Sequence, residues 1–258
     1  MGNMCDGSEY KIRSNRRQNQ YFNYQEKLKP LLYQADQNNQ NIILLTTGSF
    51  NPLHRMHLEM LNIAYKYLLS LKKYNILCAF ISPSSDDYVK TKLPPLIPFN
   101  LRCQMIQKSI DEFEKEKGAN SIKIFIHEWE GKQKYFVDFP QVIAEINSQL
   151  LDNGIQNVKL LYVCGMDHYI KCKSDLYHNV VVIDRKPYKS HGNKNKDDKK
   201  NIYFIKDESS EPFSSTSIKK FYKNGDYESI KKITFNSIYQ DIIKIFDEYY
   251  KKGKHTQS

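Results

Sequence analysis

Short apolar runs separated by segments of helical period constrain the fold of this chain more than any other feature. Residues 41–46 (NIILLT), 76–82 (ILCAFIS), 122–127 (IKIFIH), 158–164 (VKLLYVC) and 180–184 (VVVID) are mostly apolar. Each is too short for a buried helix, and such runs mark strands covered on both faces. Residues 202–205 add a further short strand. Between the strands, residues 56–71 place Met60, Ile63, Ala64, Tyr67, Leu68 and Leu71 on one helical face, and residues 100–113 and 139–151 read as helices of the same kind. Residues 215–222 and 237–250 give helices near the C-terminal end. Strands alternating with helices imply a parallel sheet with helices on both faces and right-handed crossovers. Ligands of such sheets bind beyond the carboxyl ends of the strands, so the loops after Thr46, Ser82, His127, Cys164 and Asp184 should form one rim.

The expected fold class is therefore α/β: a Rossmann-like doubly wound parallel sheet in a single domain, residues 39–250, with C-terminal helices. Residues 1–38 are polar and aperiodic apart from an amphipathic piece near Tyr24 and Tyr33. They read as a flexible extension that packs loosely or not at all. Residues 251–258 read as a tail. The formal charge of +10, from 39 basic and 29 acidic side chains, raises nucleic-acid or phosphate partners as candidates. Much of the excess falls in the basic loop 187–201 and in residues 251–254, and no aromatic-basic repeat is present, so a nucleic-acid partner is not expected.

No run approaches the roughly 18 apolar residues of a spanning helix, and no apolar stretch at the start suggests a secretory signal. Five cysteines (Cys5, Cys78, Cys103, Cys164 and Cys172) are scattered without CxxC spacing, which argues against a disulfide framework and a zinc site. An intracellular, reducing location, cytoplasmic or nuclear, is expected. The start Met1-Gly2-Asn3-Met4-Cys5 resembles an acylation signal at Gly2 and Cys5, although Asp6 stands where Ser or Thr is preferred. The alternative is an unmodified tail.

Two strings carry chemistry. Thr47-Gly48-Ser49-Phe50-Asn51-Pro52-Leu53-His54-Arg55-Met56-His57 lies between the first strand and the first helix. Gly48 permits close backbone approach, and amides there and at the following helix N-terminus can point at phosphate oxygens. His54 and His57, three apart, face one side of an incipient helical turn and can both donate to an anion. A zinc site needs a third ligand, and no Glu stands at HExxH spacing, so phosphate contact is the better reading. The bland alternative is a turn with two surface histidines. In Phe213-Ser214-Ser215-Thr216-Ser217-Ile218-Lys219-Lys220, hydroxyls head a helix, where they cap free amides and where anions are attracted. Alone, that string is equally an N-cap followed by a basic helix.

The first string resembles the signature of the nucleotidyltransferase superfamily, Gly-x-Phe-x-Pro-x-His/Thr-x-x-His, with Gly48, Phe50, Pro52, His54 and His57 at every defined position. The second is similar to that superfamily's Ile-Ser-Ser-Thr-x-Ile-Arg element. Lys219 and Lys220 replace its arginines, which keeps charge and loses the bidentate fork. Over residues 41–250 the chain resembles the eukaryotic nicotinamide or nicotinate mononucleotide adenylyltransferases. The resemblance is carried by Ile81-Ser82-Pro83-Ser84-Ser85-Asp86-Asp87-Tyr88-Val89-Lys90, His127-Glu128-Trp129-Glu130, Leu161-Tyr162-Val163-Cys164-Gly165-Met166-Asp167 and Leu176-Tyr177.

What the resemblance implies is adenylyl transfer from ATP to nicotinamide or nicotinate mononucleotide, giving NAD or its deamido form and pyrophosphate by direct in-line attack. It implies His57, His54, Lys219 and Lys220 as catalytic residues. It assigns ATP to Gly48, Phe50, Gly165, Asp167, Arg185, Asp207, Ser214, Ser215 and Thr216. The mononucleotide falls to Ser49, Lys90, Trp129, Phe136, Leu176 and Tyr177. Mg²⁺ would be held mainly by substrate phosphates and water, with no protein metal site. Homo-oligomer formation is compatible with the resemblance. Trp129 is equally a packing aromatic, Asp167 equally a helix cap, and Arg102 equally an exposed helix charge. The rival functions are cytidylyl transfer or phosphopantetheine adenylyl transfer on the same fold, and a non-enzymatic basic nucleic-acid-binding protein.

Overall fold

The computed structural model describes residues 21–172, 179–185, 202–207 and 213–254. Six strands, β1 (Gln40–Gly48), β2 (Tyr74–Pro83), β3 (Ile124–Ile126), β4 (Val158–Gly165), β5 (Val180–Arg185) and β6 (Ile202–Asp207), form one sheet in the order β3-β2-β1-β4-β5-β6. All five pairings are parallel. This is the doubly wound, Rossmann-like order expected from the sequence, with winding reversed between β1 and β4. The near-continuous apolar character of β1 has a direct cause. Ile42 and Leu44 enter one core and Ile43 and Leu45 the other, so the middle of that strand is covered on both faces.

Helices α1 (Tyr24–Lys27), α2 (Lys29–Tyr33), α3 (Arg55–Ser70), α4 (Asp86–Val89), α5 (Phe99–Lys117), α6 (Phe139–Asp152), α7 (Met166–Lys171), α8 (Ser215–Lys223), α9 (Tyr227–Ile233) and α10 (Asn236–Lys254) cover the two faces. The first core takes Leu61 and Leu68 of α3, Ile106 and Phe113 of α5, and Ile218, Ile230, Ile242 and Phe246 of α8 to α10. The second takes Val142, Ile146 and Leu150 of α6, and also Phe22, Tyr24 and Leu28.

Those last three residues correct the expectation of a loosely packed extension for its described part, residues 21–38; residues 1–20 lie outside the described residues. Phe22 meets the Phe80 ring edge-on at 4.8 Å. The Tyr24 hydroxyl lies 2.9 Å from His127 Nε2 and donates to Gln149 Oε1 at 3.2 Å. Burying each such large side chain contributes about 1.5–3 kcal/mol. The segment docks because the second face otherwise has α6 as its main cover. β3 is shorter than the sequence suggested, α9 was not foreseen, and α10 runs to Lys254, into the expected tail. Gly2, Cys5 and loop 187–201 lie outside the described residues. No described helix is long and apolar enough to cross a membrane.

Candidate active site

The crevice between the carboxyl ends of β1 and β4 is where winding reverses. β1 ends at Gly48, where an added Cβ would lie 3.3 Å from the Phe50 ring. Phe50 itself is left-handed, with φ of 44°, a conformation that costs about 1 kcal/mol or more for a non-glycine residue. Its buried ring holds it there. The chain then turns, and α3 starts behind His54.

The two imidazoles are stacked, with centroids 3.6 Å apart and planes 27° apart. The His54 backbone N–H donates to His57 Nδ1 at 3.1 Å, which leaves the His57 hydrogen on Nε2. His54 Nδ1 is buried without a hydrogen-bond partner among the described residues. Burial, and then the nearby Arg185 guanidinium, push His57 down to about 3. Burial, His57 and Arg185 hold His54 well below the ordinary histidine value. Both rings are therefore neutral near pH 7 and act as hydrogen-bond donors of unchanged charge.

The facing wall is the N-terminus of α8. Ser214 Oγ accepts from the Ser217 N–H at 3.0 Å, and Ser215 Oγ donates to the Pro52 carbonyl at 2.8 Å, tying this turn to the first loop. Lys219 is largely buried and its Nζ donates to the Leu93 carbonyl. Burial lowers that ammonium to about 8. At the end of β4, an added Cβ on Gly165 would fall 2.7 Å from Asp167 Oδ1, so only glycine lets the Asp167 side chain sit as it does. Arg185 ends β5 and donates to the Phe213 carbonyl at 3.3 Å.

These parts enclose a cavity of about 520 Å³. Gly48, Ser49, Phe50, His54, His57, Gly165, Asp167, Arg185, Ser214, Ser215, Thr216 and Lys219 all line it. Other residues singled out from the sequence do not. Lys220 is exposed, about a third of a turn around α8 from Lys219. Asp207 is buried beside Arg185 in the β5–β6 register, outside the lining. Lys90 is exposed and paired with Asp87 at 2.7 Å. Trp129 packs against the second core. Phe136 is exposed and lies 4.7 Å from the Tyr88 ring. Leu176 and Tyr177 lie outside the described residues.

Sequence reasoning missed several lining residues: Thr46, Thr47, Asn51, Lys92, Tyr162 and His168. Tyr162 was readable as a hydroxyl-bearing residue near the end of an apolar strand. Nothing distinguished Lys92 from Lys90. Arg102 is fully buried, which corrects its reading as an exposed helix charge. It donates to the carbonyls of Ile97 (3.0 Å), Ser49 (2.8 Å) and Ser84 (2.6 Å) and to Asp86 Oδ1 (3.0 Å). One guanidinium thus joins the first loop to the 84–97 segment, and Asn51 adds bonds to the Pro95 carbonyl and the Ile97 N–H. Among the described residues, no group of three or more His, Cys, Asp or Glu side chains could hold a metal ion.

Residues 45–221 match the Cytidylyltransferase-like family. A nicotinamide/nicotinic acid mononucleotide adenylyltransferase of Oryza sativa is 32% identical over 130 residues, 48% of this chain and 47% of that protein. A Bos taurus protein described as nicotinamide/nicotinic acid mononucleotide adenylyltransferase 1 is 27% identical over 154 residues, 49% of this chain and 54% of its own. The chain thus spans about half the length of the curated relatives it matches. A solved structure of Plasmodium falciparum nicotinic acid mononucleotide adenylyltransferase complexed with NaAD superposes with a TM-score of 0.56 at 18% identity, covering 81% of this chain and 96% of that one. That likeness is one of fold.

Proposed function

The chain belongs to the cytidylyltransferase-like family, and from that premise we propose that it transfers the adenylyl group of ATP to nicotinamide or nicotinate mononucleotide. The observation that carries this reading is the convergence, in one cavity, of the His54–His57 pair, the Ser214–Thr216 turn, Lys219 and Arg185. Neutral donors and two cations gathered at a sheet's carboxyl edge suit a polyphosphate. The choice of acceptor rests on the names of the relatives.

A 5′-phosphate oxygen of the mononucleotide attacks the α-phosphorus of ATP. The new P–O bond forms as the bond to the bridging α–β oxygen breaks, and pyrophosphate leaves with that electron pair. No protein nucleophile is needed, because positioning and charge stabilisation dominate phosphoryl-type transfer. His57 donates Nε2–H to a phosphate oxygen, and His54 supplies a second imidazole contact. Lys219 and Arg185 neutralise charge that grows on the leaving pyrophosphate. Lys92 lines the cavity with its exposed ammonium on the Tyr88 hydroxyl at 2.8 Å, and from there it would turn to the acceptor phosphate in place of Lys90, which lies outside the lining. Mg²⁺ enters as part of the ATP substrate, held by its phosphates and water.

A substrate panel with pyrophosphate detection tests the proposal. ATP with either pyridine mononucleotide should give dinucleotide and pyrophosphate. Turnover confined to CTP with a phosphoalcohol, or to ATP with phosphopantetheine, would reassign the acceptor. Salt-dependent nucleic-acid binding without any turnover would replace the enzymatic reading.

A further inference from the structure

A buried carboxylate lies beneath the rim of the cavity, apart from the groups that face the polyphosphate. Glu130 opens the short 3-10 turn Glu130–Lys132 that follows β3, and it is 3% exposed. That turn is pressed against the head of α5, since an added Cβ on Gly131 would fall 1.8 Å from the Phe99 ring. The Glu130 carboxylate reaches the end of β2, where the Ser82 hydroxyl donates to Oε2 at 2.7 Å and the Ser84 hydroxyl adds a second bond. Both serines are buried. Ser84 in turn is joined to the first loop: its N–H donates to the Gly48 carbonyl at 2.9 Å, and its carbonyl shares the Arg102 guanidinium with that of Ser49. A chain of bonds therefore runs from Glu130 through Ser84 to Gly48 and Ser49. It continues into residues 84–97, whose Thr91, Lys92 and Leu93 line the cavity. His57, Arg185 and Lys219 stand on other elements, α3, β5 and α8.

Two hydroxyls that donate to one group need an acceptor without a hydrogen of its own. An ionised carboxylate meets that need. A protonated one has a hydrogen to place beside serine oxygens, so one of the two must turn to accept it. Burial pushes Glu130 up to about 7, and Asp138 at the head of α6 adds to the rise. The two serine bonds and Arg102 of α5 oppose it. Tyr162 of β4 lies close enough to feel the carboxylate and is itself uncharged, because burial holds its phenol well above the ordinary value. Glu130 thus changes charge near neutral pH while bonded to the strand end that supports the rim.

Resting on the adenylyl-transfer reading, we propose that Glu130 is a positioning residue for the acceptor: its carboxylate, through Ser82 and Ser84, holds the end of β2 and residues 84–97 where the mononucleotide phosphate is met. It touches neither substrate. The ionised form fixes both hydroxyls and the rim behind them, and the protonated form releases one. ATP, gripped from α3, β5 and α8, is held alike in both forms.

The test is KM for each substrate across pH in the parent, Glu130→Gln and Ser84→Ala. Glutamine keeps the size of the side chain and carries hydrogens where it meets the serines, so it imitates the protonated acid at every pH. At about pH 8 it should raise the mononucleotide KM about tenfold, the scale of one hydrogen bond to a charged group. KM for ATP should stay within about twofold, as for sites that share no partner. As pH falls through about 7 the parent loses the same contact, so the ratio of variant to parent KM should shrink toward one. The mononucleotide's own phosphate titrates at about pH 6, but it does so against both proteins and cancels in the ratio. Ser84→Ala removes one donor from the carboxylate, so the pH at which the mononucleotide KM climbs should move upward, and this decides the matter if Glu130→Gln does not fold. A merely structural role would change both KM values together, with a ratio independent of pH. A flat ratio in folded Glu130→Gln, or an unmoved midpoint in Ser84→Ala, overturns the inference, and a parent active on either mononucleotide then leaves the adenylyl-transfer reading standing. A parent that turns over neither mononucleotide removes that reading and this inference with it.

Discussion

The two sides of the cavity are assembled differently. The wall formed by the β1–α3 turn and the head of α8 joins two local motifs, each held internally by a short turn or cap such as His54 N–H to His57 and Ser217 N–H to Ser214, and tied to each other by Ser215 on the Pro52 carbonyl. The rim formed by residues 84–97 is held from a distance, by Arg102 and Asn51. Spacing alone places side chains on the first. On the second, placement depends on a buried cation far from the loop's own pattern.

The largest effect should come from the first wall. His57→Ala removes a donor from the polyphosphate and should lower kcat by about 10²–10³, the usual loss for one preorganised donor. Single-turnover assays at saturating ATP measure it. If the variant matched the parent, the wall would be scaffold only.

Arg102 is the corresponding test of the rim. Arg102→Met strips donors from three carbonyls and leaves Asp86 unpaired, which should cost about 3 kcal/mol in urea denaturation, given 1–3 kcal/mol for each buried group left unsatisfied. It should also raise KM for the mononucleotide more than for ATP. A stability change below about 0.5 kcal/mol, the range of an ordinary surface site, would show that the rim is held by other contacts.

The contrast also explains what was legible in the sequence. β1 and the paired histidines were readable because strand burial and turn chemistry are local. The same holds for Ser214 to Thr216. By contrast, Lys90 and Lys92 sit two residues apart in a segment with no regular period. Only its tether to Arg102 and Asn51, together with the α4 turn, settles which lysine lines the cavity. Trp129 and Phe136 were assigned by resemblance, and in this structure one packs on the second core and the other lies exposed beside Tyr88. Phe22, Tyr24 and Leu28 were missed because the need for them arises from a sheet face that the rest of the chain leaves thinly covered.

Smaller effects sharpen the comparison further. Lys92→Ala should raise the mononucleotide KM about tenfold, the loss expected of one charge-assisted contact. On the first wall, Lys219 is protonated below its lowered value of about 8, so kcat/KM for ATP should fall as pH rises through that point. Lys219→Arg should move the fall upward, since a guanidinium stays charged. Stability has the opposite sign: the unfolded chain binds the proton more tightly, so this group adds stability as pH rises from about 8 toward the usual lysine value. A pH profile flat to 10 in the parent would remove Lys219 from phosphate contact. The smallest change is expected at Lys90→Ala and Lys220→Ala, both outside the cavity lining, with kcat/KM within about twofold of the parent.

A crystal structure with a non-hydrolysable ATP analogue would show most directly whether this cavity grips a polyphosphate. The triphosphate should lie within hydrogen-bond distance of His57 Nε2, the backbone amides at Ser215 and Thr216, and the Lys219 ammonium, with the adenosine toward Gly165 and Asp167. A triphosphate bound elsewhere, or turned so that only Lys92 and the 84–97 rim touched it, would contradict that assignment.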